Sequence, residues 1–168
     1  FVVVERTANF VHELVDRAAV GFAQIVRAAA PILQRGEKMA LITDAGTPGL
    51  SDPAFRLIAE ARARFGETLE VIAVPGPSAL AAALSVAHFP VQPFTFFGFP
   101  PHKKGREKFF DTAAACEYAV VFYESVHRVE TCMEALVKRA GGRECLVARE
   151  LTKMHEQVWR GTVTEVAA

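Results

Sequence analysis

Ala40-Leu-Ile-Thr-Asp-Ala-Gly-Thr-Pro-Gly-Leu-Ser-Asp-Pro53 changes character a few residues in. Met39 to Ile42 is an apolar run of the kind that forms a buried strand, and from Thr43 the chain turns polar and rich in Gly and Pro. A helix is expected next, with Asp52 as its N-cap and Pro53 in its first turn, where a missing N–H costs no hydrogen bond. A loop that leaves the C-terminal end of a buried strand and feeds a helix is where α/β proteins hold ligands. Gly46 and Gly49 open backbone conformations closed to other residues and let a ligand approach the main chain. Thr43, Asp44, Thr47, Ser51 and Asp52 add hydrogen-bonding groups. The stretch predicts an α/β fold with a binding loop at a strand end.

Working outward, Phe1 to Val4 is a strand candidate. Behind a possible N-cap at Asn9, apolar residues at Phe10, Val11, Leu14, Val15 and Ala18 have helical spacing. The spacing continues through Phe22, Ile25 and Val26, and Pro31 predicts two helices or one kinked helix ending at Gly36. On the other side of the loop, Phe55, Leu57, Ile58, Ala61 and Phe65 predict a helix stopped by Gly66. Leu69 to Val74 is a predicted strand, followed by the tight turn Pro75-Gly-Pro-Ser78 and a small-residue helix from Ala79 to Ala87 with Ser78 as its N-cap. Val91-Gln-Pro93 has the composition of a linker. The alternation then restarts with a strand at Phe94 to Phe97, a helix reaching about Ala115 and a strand at Tyr118 to Tyr123. A helix capped by Ser125 and stopped by Gly141-Gly142, a strand at Glu144 to Ala148 and a final strand near Val158 to Arg160 complete it. Alternating strands and helices on both sides of a Pro-bounded joint predict an α/β protein in two parts, residues 1–91 and 94–168.

The 168 residues suffice for one sizeable domain or two small ones. Nineteen basic side chains balance nineteen acidic ones, so any case for nucleic acid must be local. Cys116, Cys132 and Cys145 are too widely spaced for a zinc site or a disulfide framework, and are expected to be apolar filler in a reducing compartment. With no signal peptide and no apolar run long enough to span a membrane, the cytoplasm is the expected location. The first residue is Phe rather than Met, and the last eight resemble the start of a helix, so both ends are expected to be cut.

Four strand-end loops carry the chemistry: Asp44 to Asp52, Pro75 to Ser78, Tyr123 to Arg128 and Arg149 to Lys153. If the halves face each other, these loops line one cleft, the usual place for a small-molecule site. Asp44 suits a cationic or hydroxyl-bearing ligand, and the N–H groups of Gly46, Thr47 and Ser78 suit carboxylate or phosphate oxygens; turn chemistry alone explains any one of them. Lys103, Lys104, Arg106 and Lys108 against Glu107 leave a local excess of three positive charges in an exposed loop, suited to phosphates. Glu124, His127, Arg128, Glu150, Lys153 and His155 are candidates for proton transfer or substrate contact. Asp44 and Asp52 sharing Mg²⁺, as in a phosphohydrolase, is a remote alternative, since Asp52 serves better as a cap. No metal is expected, and no zinc-helix, dinucleotide, Walker or nucleophile-elbow motif is present.

Thr43-Asp-Ala-Gly-Thr-Pro-Gly-Leu-Ser-Asp-Pro53, Val74-Pro-Gly-Pro-Ser78, Phe122-Tyr-Glu-Ser-Val-His-Arg128 and Ala148-Arg-Glu-Leu-Thr-Lys153 together resemble the ribosomal RNA small subunit methyltransferase I family of the tetrapyrrole-methylase superfamily. The four motifs occur in the family's order, between about residue 38 and residue 163. The first 35 residues depart from it: Val4-Glu-Arg-Thr7 stands where the family carries Glu-Asp-Thr-Arg, and its Pro-Ile-Gly-Asn loop is missing. The resemblance implies two α/β subdomains with S-adenosylmethionine bound between them, and methyl transfer to a ribose 2′-hydroxyl of a cytidine in 16S rRNA. It implies donor contacts at Asp44, Ala45, Gly46, Thr47, Pro48, Ser78, Ala79, Tyr123, Glu124, Leu151 and Thr152. With that chemistry in view, Glu150 and Glu124 are alternative bases, Lys153 or Arg128 offsets charge, and Lys103, Lys104, Arg106 and Lys108 contact RNA. The implied partner is the small ribosomal subunit, and the implied assembly a homodimer. The alternatives are a corrin-precursor methyltransferase of the same superfamily and a non-catalytic RNA- or cofactor-binding module.

Overall fold

The computed structural model describes residues 13–15, 22–43, 46–51 and 54–168. The chain divides into two compact units, Phe1–Ser78 and Ala79–Ala168.

In the first unit, strand β1 (Glu13–Val15) pairs in parallel with β2 (Ala40–Ile42), Leu14 standing opposite Leu41. Helix α1 (Phe22–Gln34) makes the crossover, as a parallel pair requires. It runs through Pro31 as one helix, and Gly36, at φ 69°, lies in the turn just beyond its end. Helix α2 (Ala54–Phe65) follows, and a 3₁₀ turn at Gly66–Thr68 closes it. Ala29 of α1 and Leu57 of α2 form a small core against which Met39 and Leu41 pack. Two expectations are corrected. Leu14 and Val15 belong to a strand rather than a helix: pairing with Ala40–Ile42 overrides the helical spacing of the apolar residues. Leu69 to Val74 has no ladder partner among the described residues, and Val71 and Ile72 are exposed, so apolar composition alone does not make it a strand. The predicted strand at Phe1 to Val4 and the caps at Asn9 and Asp52 lie outside the described residues.

The second unit opens with the seven-residue helix α3 (Ala79–Ser85). Strand β3 (Phe94–Phe96), helix α4 (Arg106–Ala115) and strand β4 (Ala119–Val121) form a second parallel β-α-β unit, Thr95 opposite Val120. Helix α5 (Val129–Ala140) leads to an antiparallel hairpin of β5 (Glu144–Arg149) and β6 (Gln157–Thr162), and α6 (Val163–Ala167) ends the chain. Phe110 is completely buried, with Pro100, Ala113, Cys132, Met133 and Val163 also interior. Removing one Phe side chain from water contributes roughly 1.5–3 kcal/mol. Edge-to-face contacts at 5.4–5.6 Å join Phe109 to Phe97, Phe110 and Phe122. The cap expected at Ser125 is also corrected. Arg128 is the N-cap of α5, and Ser125 instead closes the preceding turn, its carbonyl accepting the Arg128 N–H at 3.0 Å.

Candidate active-site loops

Strand β2 delivers the chain to Thr43, and the polar loop begins there. Asp44 and Ala45, two of the expected donor contacts, lie outside the described residues. Gly46 and Gly49 have φ of 72° and 85°, the left-handed region that the sequence reserved for glycine. The Leu50 N–H closes a turn on the Thr47 carbonyl at 3.3 Å. The Thr47 hydroxyl donates to the Pro77 carbonyl at 3.1 Å, thirty residues away, so two of the four motif loops are fastened together within the first unit. A side chain added at Gly46 or Gly49 would meet nothing within 4 Å. The main chain there borders open space. Pro48 is half-buried, and Ser78 ends the unit.

In the second unit, the Tyr123 N–H donates to the Gly98 carbonyl at 2.8 Å beyond the end of the β3–β4 ladder. The Tyr123 ring lies 5.0 Å from Phe96 and 5.4 Å from Phe99. Glu124 follows, with its side chain only 6% exposed and both oxygens engaged. Oε2 accepts from Arg106 Nη2 at 2.8 Å. Oε1 accepts from Arg128 Nη2 at 2.7 Å and from the Ser125 N–H at 2.8 Å. A buried carboxylate is tolerable only with partners of this kind. Nη1 of Arg128 is the one buried side-chain nitrogen or oxygen among the described residues with no hydrogen-bond partner.

The β5–β6 loop holds the other candidate base. The Glu150 side chain is 40% exposed, and its Oε2 lies 3.2 Å from Lys153 Nζ. The Thr152 N–H donates to Glu156 Oε2 at 2.6 Å, and Leu151 is half-buried. Glu150 and Thr152 have φ of 51° and 65°, and Ser51 in the first unit has 62°. Among the described residues these are the only non-glycine positions with positive φ. The left-handed region disfavours side chains, a β-branched Thr most of all, and such strain gathers at ligand and active sites. All three fall in loops that the motifs had singled out.

The basic segment is divided by the fold. Lys103 and Lys104 are exposed in the loop before α4, and Lys108 is exposed in the first turn of α4, where a loop was expected. Arg106 turns inward: its side chain is 14% exposed, it holds Glu124, and its guanidinium stacks 5.0 Å from the Phe110 ring centroid. Sequence reasoning missed that pairing and also Arg139, which binds Glu107 at 2.6 Å and Asp111 at 2.7 Å. No local signal marks either, because the partners lie 18 to 32 residues apart.

A family model described as tetrapyrrole (corrin/porphyrin) methylases matches residues 5–167. A protein of Thermotoga maritima named ribosomal RNA small subunit methyltransferase I is 39% identical over 80% of this chain and 60% of its own length. Proteins of the same name from Xylella fastidiosa and Leptospira biflexa are 47% and 40% identical, over 76% and 85% of this chain and 46% and 57% of their own. The chain thus spans about half the length of the curated relatives it matches. A solved cobalt precorrin-4 methyltransferase, CbiF, superposes with a TM-score of 0.62 at 17% identity, covering 89% of this chain and 64% of the other. Matched over nearly its whole length by the family model and carrying the strained loops where the motifs lie, this chain belongs to the tetrapyrrole methylase family.

Proposed function

We propose that this chain performs S-adenosylmethionine-dependent methylation of a ribose 2′-hydroxyl of a cytidine in 16S rRNA. The observation that carries the reading is the coincidence of the strained residues Ser51, Glu150 and Thr152 with the motif loops. The names of relatives 39–47% identical support ribosomal RNA of the small subunit as the substrate, and the motif resemblance supports a cytidine ribose within it. A corrin-precursor substrate draws on the family model's description and on the likeness to CbiF, and at 17% identity that likeness concerns the fold.

When bound, S-adenosylmethionine supplies a methyl group on an electrophilic sulfonium centre, so alignment is the protein's main task. The donor contacts implied by the resemblance include Gly46, Thr47 and Pro48, and also Tyr123, Leu151 and Thr152. The open backbone at Gly46 and the Thr47–Pro77 bond fit that role. A ribose hydroxyl is a poor nucleophile at neutral pH and gains from a positioned base. Of the two candidates Glu150 is the better placed. Its carboxylate is accessible and contacts one lysine, whereas Glu124 has spent both oxygens on guanidiniums and a backbone N–H. Glu124 is therefore a positioning residue, and Lys153 offsets charge beside Glu150. The reading extends to a homodimer acting in the cytoplasm.

The test is methyl transfer from labelled donor to small ribosomal subunits lacking the modification, with the labelled nucleotide mapped. Label on a cytidine ribose is expected. Glu150→Gln should lower turnover about 100-fold or more with donor affinity retained by calorimetry. Full turnover by that variant removes Glu150 as the base, and donor binding without label on the subunits removes the substrate.

A further inference from the structure

The segment His102-Lys-Lys-Gly-Arg-Glu-Lys108 carries four cationic side chains and one carboxylate, counting Lys and Arg against Glu. The fold sorts them into two sets. Arg106 donates from Nη2 to the buried Glu124 at 2.8 Å and from Nη1 to the Pro101 carbonyl at 3.3 Å, while its guanidinium covers the Phe110 ring. From the start of α4 it grips the preceding loop and the segment that follows β4 at once. Glu107, the carboxylate that would oppose the neighbouring lysines, is taken by Arg139 of α5 at 2.6 Å. Among the described residues Lys103, Lys104 and Lys108 have no carboxylate partner within ion-pair distance. The whole local excess of positive charge therefore stands on three exposed lysines.

Resting on the function proposed above, we infer that Lys103, Lys104 and Lys108 are the phosphate-binding groups of this segment and that Arg106 is a positioning residue that sets them through Glu124. A lysine serves phosphate as a flexible point charge. Arginine's planar fork suits the fixed anchor, because it satisfies a carboxylate and a carbonyl while stacking on a ring. Arg139 completes the device by keeping Glu107 from neutralising the lysine edge. The segment thus presents positive charge to a polyanion without global basicity, in a chain whose formal net charge is zero.

The experiment measures affinity of the full-length protein for unmodified small subunits, and for a single-stranded RNA 20-mer, as a function of salt. Each lysine–phosphate pair removed flattens the slope of log affinity against log salt by about 0.7 to 0.9. The variant Lys103→Gln/Lys104→Gln/Lys108→Gln alters only exposed side chains and should flatten it by about 2 to 3. Adding Arg106→Gln to that variant should leave the slope where it is, whereas an arginine paired directly with phosphate would cost about another 0.7 to 0.9. Glu124→Gln in the otherwise unaltered protein supplies a test of sign. Removing a negative charge near phosphates should tighten binding by simple electrostatics, but loss of the anchor should weaken it, and tightening overturns the inference. Thermal melts show whether Arg106→Gln and Glu124→Gln fold. If either does not, Arg106→Lys, which keeps the charge but not the fork, should bind more weakly, and unchanged affinity overturns the anchor. If the 20-mer is bound with this lysine dependence and the subunits are not, the substrate reading fails while the division of the segment stands. If neither is bound, both fall.

Discussion

Arg143 sits where α4 runs out of partners for its last carbonyls. Its Nη1 donates to the carbonyls of Ala113, Ala114 and Cys116 at 3.2–3.3 Å, and its Nη2 to that of Tyr118 at 3.1 Å. A cation at a helix C-terminus is favourable both for hydrogen bonding and for the helix dipole. Arg143→Met should therefore destabilise the protein by about 2–4 kcal/mol, read as a lower denaturant midpoint, since it strands part-buried carbonyls. An unchanged midpoint would mean water replaces the guanidinium without loss. Cys132 is a residue whose sequence role and structural role coincide. Burial, with the Glu124 charge adding to it, pushes its thiol up to about 12, so it stays neutral and fills the core between helices. Cys145 is raised by burial as well.

Among the elements, α6 has the most complete local specification. Thr162 and Glu165 form a capping box: the Glu165 N–H donates to Thr162 Oγ1 at 3.3 Å, and Glu165 Oε2 accepts from the Thr162 N–H at 2.7 Å. The Thr162 backbone bond, helped by its hydroxyl, holds the Glu165 carboxyl below its ordinary value. A depressed carboxylate stabilises the fold at pH above its unfolded value, and that contribution disappears as pH falls through the folded one. The stability difference between the unaltered protein and Glu165→Gln should accordingly be present at neutral pH and vanish on the acid side of the ordinary carboxylate range. A difference independent of pH would assign the effect to packing. The β5–β6 loop is the opposite kind of element. Its strained Glu150 and Thr152 are held by neighbours, the Thr152 N–H by Glu156 and the Glu150 carbonyl by the Lys153 N–H at 3.0 Å. A turn chosen for stability alone would place Gly or Asn there.

At the scale of the whole molecule, each unit has its own parallel β-α-β arrangement and its own interior residues. Trp159, the chain's single tryptophan, reports on the second unit only. Its fluorescence transition in urea should not superimpose on the far-UV circular dichroism transition, which follows both units. Coincident curves would show that the units unfold as one. Much of the architecture is legible in the chain itself. The polar loop after Ile42, the exposed lysines and most helices are written locally, in glycine placement, in apolar spacing and in stop signals, whereas Pro75 to Ser78, expected as a tight turn, is irregular chain. By itself the sequence determined the class of fold, the loops in which polar and charged side chains gather and the resemblance that identifies the family, because such features depend on residues close together along the chain. Only the tertiary structure decided that Leu14 and Val15 pair as a strand, that Leu69 to Val74 finds no ladder partner among the described residues, that Arg106 turns inward to Glu124, and that Glu150 keeps an accessible carboxylate where Glu124 does not. Each of those outcomes depends on which distant backbone groups and charges meet once the chain is folded, and a partner 18 or more residues away leaves no periodicity to read.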